Sequence, residues 1–304
     1  MKKVKCFALA MGILLVVIAA GCSRGNAPAK DLSLKVGLMP AVDAAPMLLA
    51  DKKGYFKELG LDVELEMFNN GQDRQSALQT DAIDGAMTDL IAVAANVDSG
   101  FDLKATTMTN GVFPVLMKEG SEEKEKVKIG MMEVSVTNFL IDQWLGGKYE
   151  IEKVYINEIP TRLAAIVNGE LDMGSFPEPF ASMGALQGLK KKSYEYADGW
   201  CPDVLAFTGK ARKEKAEAVR LFHQAYDKAV KELNGNEQEA RDVLMESMTN
   251  LKPEIKDDMI LPEFTPAQLQ EKEYIQEIID WTGNVLNKEL KVTADDLVDP
   301  GFLK

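Results

Sequence analysis

The order of strand and helix patterns constrains the fold of this chain more than any other feature. Candidate strands lie at 34–39, 62–68, 84–88 and 103–109, and candidate helices lie between them at 46–59, 73–80 and 89–97. Consecutive strands joined by a helix run parallel, and the helices cover the faces of their sheet. The pattern therefore predicts an α/β fold built on a parallel sheet.

A second block repeats this alternation after an extended stretch at 113–118 and a charged run at 119–128. Its candidate strands are 127–131, 154–159, 172–176 and 192–196, with helices at 135–145, 161–168 and 179–186. We expect a strand at 204–208 to return to the first block, and from residue 212 onward only helix patterns remain. A chain of 304 residues is long enough for two such units.

The first 22 residues predict export and a lipid anchor. Lysines at positions 2, 3 and 5 precede an apolar stretch at 7–20, which is short for a membrane span, since about 20 residues are needed. The sequence Ala19-Ala20-Gly21-Cys22 resembles the lipobox of bacterial lipoproteins. We predict a signal peptide at 1–21, palmitate on Cys22 and a polar tether at 22–33, which places the protein on the extracytoplasmic face of the cell membrane. The alternative is an uncleaved anchor or ordinary signal peptide in which Cys22 has no role.

Charge and composition exclude several classes of function. The net charge of −13 disfavours nucleic acid as a partner, because phosphate backbones require a basic surface. The single histidine, His223, rules out a His-based metal cluster, and we expect it to be a surface or lightly buried structural residue. Cys201 is the one thiol left once Cys6 is removed and Cys22 is acylated. Since no nucleophile, P-loop or dinucleotide motif is present, we predict no catalytic residues, no metal and no cofactor.

Small, hydroxylic, acidic and amide side chains follow the predicted strands. The segments concerned are 40–46, 88–89, 110–111, 133–137 and 176–180. Ligands of open α/β sheets bind outside the carboxyl ends of the strands, where the following helices direct their amide groups. Taken singly, Asp89 and Ser135 are better explained as helix caps. The recurrence of such segments in both blocks favours a shared ligand cleft.

Several segments resemble the type 2 periplasmic solute-binding proteins of ABC importers. The segments 36–40 and 46–56 are similar to the start of these proteins. The segment 84–90 resembles a strand-to-helix turn of their first lobe, and 168–174 resembles the equivalent turn of the second. The branch that is most similar serves thiamine-pyrimidine precursors, riboflavin, nitrate, taurine and aliphatic sulfonates. These motifs indicate the fold well and the solute poorly.

The resemblance implies two α/β lobes, joined by hinge strands, that close over a small solute. Lobe 1 would comprise 34–115 and 209–304, including a helical tail, and lobe 2 would comprise 116–208. The protein would be a monomer that delivers its solute to an ABC permease, beside which the lipid anchor holds it. The ligand-binding residues transferred from the family are Asp43, Ala44, Asp89, Asn110, Ser135, Thr137 and Glu178, with Trp200, Phe113 and Phe180 as ring-stacking candidates.

The charge of the predicted cleft favours one class of solute. Asp43, Asp89, Glu133 and Glu178 would repel an anion, so we expect a neutral or cationic, ring-bearing solute such as a pyrimidine or vitamin precursor. An anion binder of the sulfonate or nitrate type is the alternative. An enzyme similar to the cytosolic branch that makes the thiamine pyrimidine is disfavoured, because that branch uses a histidine-rich motif and iron. A structural lipoprotein or adhesin is a third class.

Overall fold

The computed structural model describes residues 32–196 and 199–303. The predicted signal peptide at 1–21, Cys22 and nearly all of the tether at 22–33 lie outside the described residues. The described strands are β1 (Ser33–Leu38), β2 (Asp62–Met67), β3 (Gly85–Asp89), β4 (Leu103–Met108), β5 (Val115–Met117), β6 (Lys126–Met131), β7 (Glu150–Tyr155), β8 (Met173–Ser175), β9 (Lys190–Lys192) and β10 (Asp203–Thr208).

Helices connect these strands and form the C-terminal part of the chain. They are α1 (Ala45–Lys52), α2 (Tyr55–Glu58), α3 (Gly71–Gln79), α4 (Leu90–Asp98), α5 (Val136–Leu145), α6 (Ile159–Val167), α7 (Phe180–Ala185), α8 (Gly209–Glu214), α9 (Ala216–Leu233), α10 (Glu237–Ser247), α11 (Lys272–Val285) and α12 (Ala294–Leu297). Short 3-10 turns lie at Val42–Ala44, Ser121–Glu123, Pro253–Ile255 and Pro300–Phe302. Within the described residues, no helix combines the length and the apolar character that a membrane crossing requires.

The strands form two five-stranded sheets with the same pattern of directions. Sheet A has the order β2-β1-β3-β10-β4, and sheet B has the order β7-β6-β8-β5-β9. In sheet A, β1 pairs in parallel with β2 and β3, whereas β10 pairs antiparallel with β3 and β4. In sheet B, β6 pairs in parallel with β7 and β8, whereas β5 pairs antiparallel with β8 and β9. The predicted α/β fold with two separate sheets is confirmed.

The burial of each strand follows its place in the sheet. Strands β3 and β10, inside sheet A, are buried along their whole length. The edge strand β2 alternates exposed and half-buried residues, which agrees with the alternation of acidic and apolar residues in its sequence. Helix α9 packs against α1 and α2, where the rings of Phe56 and Phe222 stack with their centroids 4.9 Å apart. The apolar face of the long C-terminal helix therefore completes the core on one face of sheet A.

One predicted helix is divided in two. The prediction of a continuous helix at 46–59 is wrong, because α1 ends at Lys52 and α2 begins at Tyr55. Gly54 lies between them with φ of 75°, a left-handed conformation that favours glycine and interrupts the helix. The other predicted helices of the two blocks agree with the observed ones within two residues.

Two strand predictions are shifted along the chain. Strand β7 begins four residues before the predicted range 154–159 and ends within it, at Tyr155. The predicted range runs too far because Ile159 and Pro160 form the first turn of α6, a position that suits the fixed φ of proline. Strand β9 precedes the predicted range 192–196. Tyr194, within that range, instead stacks on Trp144 with ring centroids 5.3 Å apart.

The chain crosses between the sheets twice. It passes from β4 in sheet A to β5 in sheet B, and it returns to sheet A with β10. The expected return of 204–208 to the first block is therefore confirmed by strand pairing. The predicted lobe boundary at 208 separates this strand from the sheet that it joins, since antiparallel pairing with β3 and β4 places it in sheet A.

Candidate functional site

A cavity of about 470 Å³ lies where the carboxyl ends of the two sheets meet. This volume is typical of a small-molecule pocket. The polar residues that line it include Asp43, Gln72, Arg74, Gln75, Thr88, Asp89, Asn96, Glu133, Ser135, Thr137, Asn157, Arg162 and Asp203. The apolar residues include Met39, Pro40, Ala41, Met87, Phe113, Met132, Val134, Val136, Ile159 and Pro177. Residues that follow the strands of both sheets therefore line the same cavity.

Three aspartates meet on the wall that belongs to sheet A. Asp89 ends β3 and Asp203 begins β10, and the antiparallel register places the two residues directly opposite each other. Asp43 lies in the 3-10 turn that follows β1. All three side chains are buried, so the strand register and one tight turn concentrate acidic groups at the carboxyl edge of the sheet.

Asp43 has only one of its two carboxylate oxygens paired. Its Oδ2 accepts a hydrogen bond from Thr109 Oγ1 at 2.6 Å, whereas its Oδ1 is buried without a partner among the described residues. Burial raises the pKa of Asp43 to about 6, against the opposing effects of the Thr109 hydrogen bond and of Arg74. An unpaired buried acceptor is unfavourable. A solute that donates a hydrogen bond to Oδ1 would remove this penalty.

Asp89 connects the two walls of the cavity. Its Oδ1 accepts a hydrogen bond from Ala92 N at 2.8 Å and so caps α4, as the sequence predicts. Its Oδ2 accepts a longer bond, 3.4 Å, from Val136 N at the start of α5. Burial raises the pKa of Asp89, while these backbone donors and Arg74 lower it. One carboxylate thus caps a helix beside sheet A and contacts a helix beside sheet B.

Arg74 provides the positive charge of the same wall. Its Nη2 donates to Thr88 Oγ1 at 3.0 Å, and its Nε is buried without a partner among the described residues. Burial lowers the pKa of Arg74, although Asp89, Asp203 and Asp43 all favour its charged form. Burial likewise raises the pKa of Asp203 well above its ordinary range, and the other two aspartates add to that shift. All three carboxylates therefore interact electrostatically with the same arginine.

On the opposite wall, two hydroxyl groups are bound within their own loop. Ser135 Oγ and Thr137 Oγ1 lie 2.8 Å apart. Ser135 Oγ donates to the Met132 carbonyl at 3.2 Å, and Thr137 Oγ1 accepts from Met132 N at 3.2 Å. Ser135 precedes α5, but its side chain makes no capping hydrogen bond, so the predicted capping role is not observed. Asp89, from the other wall, contacts the start of this helix instead.

Arg162, on α6, is the second buried arginine of the cavity. Its Nη1 donates to the Ile156 carbonyl at 2.6 Å, and its guanidinium lies 4.9 Å from the centroid of the Phe176 ring. Its Nε has no partner among the described residues. Burial alone lowers the pKa of Arg162 to about 10, with no contribution from a carboxylate. This guanidinium is therefore a buried charge without a counter-charge.

The structure brings four of the seven ligand-binding residues that the resemblance implies to the cavity. Asp43 and Asp89 lie on the wall of sheet A, and Ser135 and Thr137 lie on the wall of sheet B. Phe113, predicted as a stacking residue, also lines the cavity.

The other predicted ligand residues lie elsewhere among the described residues. Ala44 is buried in the apolar core beneath the cavity wall. Asn110 Oδ1 accepts hydrogen bonds from Thr265 N and Thr265 Oγ1, both at 2.9 Å. Trp200 and Phe180 pack against two different core clusters. These side chains hold the framework together and do not line the cavity.

Glu178 is also outside the cavity lining and is fully paired. Its Oε1 accepts a hydrogen bond from Lys191 Nζ at 2.7 Å, and its Oε2 accepts hydrogen bonds from Ser182 N at 3.1 Å and Ser182 Oγ at 2.9 Å. Ile260 N donates to Oε1 at 3.3 Å. The loop after β8 is thereby fixed to the C-terminal segment that packs on the core of sheet A. The hydrogen bonds that Glu178 makes therefore connect separate parts of the framework.

Sequence reasoning missed Asp203, Arg74 and Arg162. Asp203 lies at the amino end of its strand, and only antiparallel pairing brings that end to the carboxyl edge of sheet A. The two arginines lie in helices whose sequences do not reveal which face is buried. The one available signal is position, since both helices directly follow strands of the alternating blocks.

His223 lies deep in the core, which corrects the expectation of a surface or lightly buried side chain. It is 2% exposed, and its Nε2 lies 2.9 Å from Thr106 Oγ1. Burial lowers its pKa to about 4. Among the described residues, no group of three or more histidine, cysteine or acidic side chains is arranged to hold a metal ion.

Comparisons with known proteins agree with this architecture. Residues 27–244, more than half of the chain, match the profile of the NMT1-like family. A search of curated protein sequences finds no match.

Solved structures share the fold at low sequence identity. The ligand-binding component of an ABC-type import system from Staphylococcus aureus, with zinc bound, is 19% identical with a TM-score of 0.73, and the alignment covers 89% of this chain and 97% of that one. The alkanesulfonate-binding protein SsuA from Xanthomonas axonopodis pv. citri, bound to MOPS, is 17% identical with a TM-score of 0.74, covering 88% and 99%. A Candida albicans protein with the generic periplasmic binding protein fold is 16% identical with a TM-score of 0.62, covering 84% and 89%. The predicted periplasmic binding protein fold is confirmed.

Proposed function

The chain belongs to the NMT1-like family, and from this membership and the cavity described above we propose that it is the solute-binding component of an ABC importer. It captures a small molecule between its two halves and delivers it to a permease. Of the proteins that share its fold, the one from S. aureus is by name the ligand-binding component of an ABC-type import system, and the one from X. axonopodis is an alkanesulfonate-binding protein. The observation that carries the proposal is the cavity at the carboxyl ends of both sheets, lined by residues of each.

The two halves act as lobes that close on the solute. The chain crosses between the sheets after β4 and again before β10, and these two crossings form the hinge. Asp89 reaches from one wall to the backbone of α5 on the other, a contact that favours the closed arrangement. Binding stabilises closure because the solute contacts both walls only when they are close together.

The solute that fits this cavity best is neutral or cationic and bears a ring. Asp43, Asp89 and Asp203 outnumber Arg74 on one wall, so a positive or donor-rich group is favoured there. The apolar lining, with Met39, Met87, Met132, Phe113 and Val134 among its members, suits the body of a ring. A pyrimidine or vitamin precursor has both features.

An anion is the second candidate, and the two buried arginines favour it. Arg74 and Arg162 both have an unpaired Nε at the cavity. The X. axonopodis protein of the same fold binds an alkanesulfonate. Against this candidate, the carboxylates beside Arg74 would repel an anion. Arg162, which no carboxylate opposes, would be the one arginine left to bind it.

Catalysis is not part of the proposed function. His223 is buried against Thr106 and does not belong to the cavity lining. Among the described lining residues there is no cysteine, so the cavity has neither the base nor the thiol of a Cys–His or Ser–His site.

Lipidation of Cys22 and residence on the extracytoplasmic face of the membrane complete the proposal, since the anchor holds a monomeric binder beside its permease.

Calorimetry with a panel of solutes tests the proposal. The panel contains 4-amino-5-hydroxymethyl-2-methylpyrimidine, riboflavin and ring-bearing amines on one side, and nitrate and aliphatic sulfonates on the other. We expect saturable binding of a neutral or cationic member, with a smaller radius of gyration by X-ray scattering in its presence. Binding of anions alone would contradict the proposed solute class, and binding without any change in scattering would contradict closure.

A further inference from the structure

The two walls of the cavity differ in the balance of their buried charges. On the wall of sheet A, Asp43, Asp89 and Asp203 surround one arginine, Arg74. On the wall of sheet B, Arg162 is the buried charge, and no carboxylate among the described residues contributes to its lowered pKa. The cavity is therefore electrically polarised from one wall to the other.

Each wall also contains a buried polar atom without a partner. On the acidic wall this atom is Asp43 Oδ1, an acceptor, and on the basic wall it is Arg162 Nε, a donor. Folded proteins rarely leave such atoms unpaired, because the lost hydrogen bond to water is not replaced. The two atoms require complementary partners, one that donates and one that accepts.

Two other charged groups do not neutralise this polarity. Arg74 has an unpaired Nε as well, but three aspartates already favour its charge. Glu133 lies on the wall of sheet B, but it is exposed, so solvent screens its charge. Arg162 thus remains the buried charge that a solute must balance.

We propose that the solute is a zwitterion, with a cationic group against Asp43 and Asp203, an anionic carboxylate-type group against Arg162, and a ring between them. This inference rests on the proposed function and specifies the solute of the same cavity. A zwitterion is neutral overall, which agrees with the proposed solute class. It also pairs each buried charge with its opposite, which a simple cation or a simple anion does not.

Matched one-ring probes separate the contributions of the two charges. The probes are 4-(aminomethyl)benzoate, benzylamine and benzoate, which carry both charges, the positive charge alone and the negative charge alone. A second set with a pyridine ring controls for the identity of the ring. Calorimetry should show that the zwitterion of at least one set binds about tenfold or more tightly than its amine, because a charge-assisted hydrogen bond to a buried guanidinium is gained.

The variant Arg162→Gln tests the role of this side chain. We expect the ratio of the affinities for the zwitterion and the amine, at least tenfold in the wild-type protein, to fall to about one in this variant. Arg162→Lys keeps the charge and should retain part of the preference, so it serves if the glutamine variant fails to fold. Arg241→Gln is the matched control, since Arg241 is a half-buried arginine that donates to the carbonyls of Lys256 and Met259 outside the cavity.

The outcomes distinguish this inference from the proposed function. Equal affinities of amine and zwitterion for the wild-type protein, with both rings, would overturn the inference and leave a cation-binding importer component. A preference for the zwitterion that survives in Arg162→Gln would also overturn it. Binding of benzoate alone would contradict the proposed cationic or neutral solute class as well.

Discussion

Two buried carboxylates, Glu178 and Asp43, show how differently this fold treats an acidic group. Glu178 is 0% exposed, and Lys191, Ser182 and Ile260 all donate hydrogen bonds to it. Asp43 is 2% exposed, yet a single hydroxyl donates to it and one oxygen stays unpaired. Both residues follow strands, and both were equally good ligand candidates from the sequence.

The number of hydrogen-bond donors to each carboxylate distinguishes a structural residue from a candidate solute-binding residue. A buried carboxylate with a full set of donors is part of the framework, because its partners have already replaced the water that it lost. A buried carboxylate that lacks a donor and lines a cavity reduces stability until a solute supplies one. Glu178 fixes the loop after β8 to the C-terminal segment, whereas Asp43 has one carboxylate oxygen that can accept a hydrogen bond from a solute.

The largest expected effect is the loss of stability on removing Glu178. Glu178→Ala should lower the free energy of unfolding by about 3–5 kcal/mol, because the Lys191 ammonium, mostly buried, loses its counter-charge. Urea denaturation followed by circular dichroism measures the change. A loss below about 1 kcal/mol would show that the paired carboxylate has little structural role.

The double variant Glu178→Ala/Lys191→Met is the control for this prediction. Removing both charges should restore part of the lost stability, because no unpaired charge then remains buried. If Lys191→Met lowers the free energy of unfolding by the same amount in the Glu178→Ala variant as in the wild-type protein, the two side chains act independently.

Asp43→Asn should raise the free energy of unfolding, in contrast to Glu178→Ala, which should lower it. A folded-state pKa of about 6, above the ordinary value of 3.8, means that the folded protein binds the proton more tightly than the unfolded chain. This group therefore reduces stability as pH rises from about 4 to 6, and the reduction persists above that range. The variant should increase the free energy of unfolding at pH 7.5 by about 1–3 kcal/mol and change it little at pH 3.5. Urea denaturation of the solute-free protein at both pH values measures this, and a destabilised variant at pH 7.5 would contradict it.

The order of elements could be predicted from the sequence because it depends on local patterns. Alternating apolar periods located the strands and helices of both blocks, and the helical connections required the strands they join to run parallel. The antiparallel strands β10 and β5 make both sheets mixed, which the alternation alone does not predict. The break at Gly54 was missed because the apolar stripe continues on both sides of it. Strand β7 was placed too late because edge strands carry weak patterns, with few buried residues to mark them.

The site could be predicted only where a single strand end determines it. Asp43 and Asp89 follow their own strands, so chain order alone brings them to the carboxyl edge. Asp203 depends on the pairing of β10 with β3, which joins distant parts of the chain. The burial of Arg74 and Arg162 depends on which helix face meets its own sheet, since Arg74 donates to Thr88 and Arg162 packs against Phe176. The ion pair of Glu178 could not be predicted because its partner Lys191 lies in a later strand.

Solute binding should depend on pH through the unpaired carboxylate. A cation stabilises the ionised form of Asp43, so the affinity for the tightest-binding cationic panel member should rise about tenfold between pH 5 and 7. Protons should be released on binding at pH 5.5, which calorimetry in two buffers of different ionisation enthalpy measures. Asp43→Asn should weaken the pH dependence. Proton uptake on binding would indicate an anionic solute instead.

The smallest expected effect concerns Asn110, which like Glu178 was a ligand candidate that the structure places in the framework. Asn110→Ala removes the acceptor for Thr265 N and Thr265 Oγ1 and should lower the free energy of unfolding by about 1 kcal/mol. Because Asn110 does not line the cavity, the affinity for the tightest-binding panel solute should stay within about twofold of the wild-type value. Denaturation and calorimetry on the same preparation measure both quantities. A tenfold loss of affinity at unchanged stability would place Asn110 with Asp43 among the solute-binding residues and would break the division between the two groups of polar side chains.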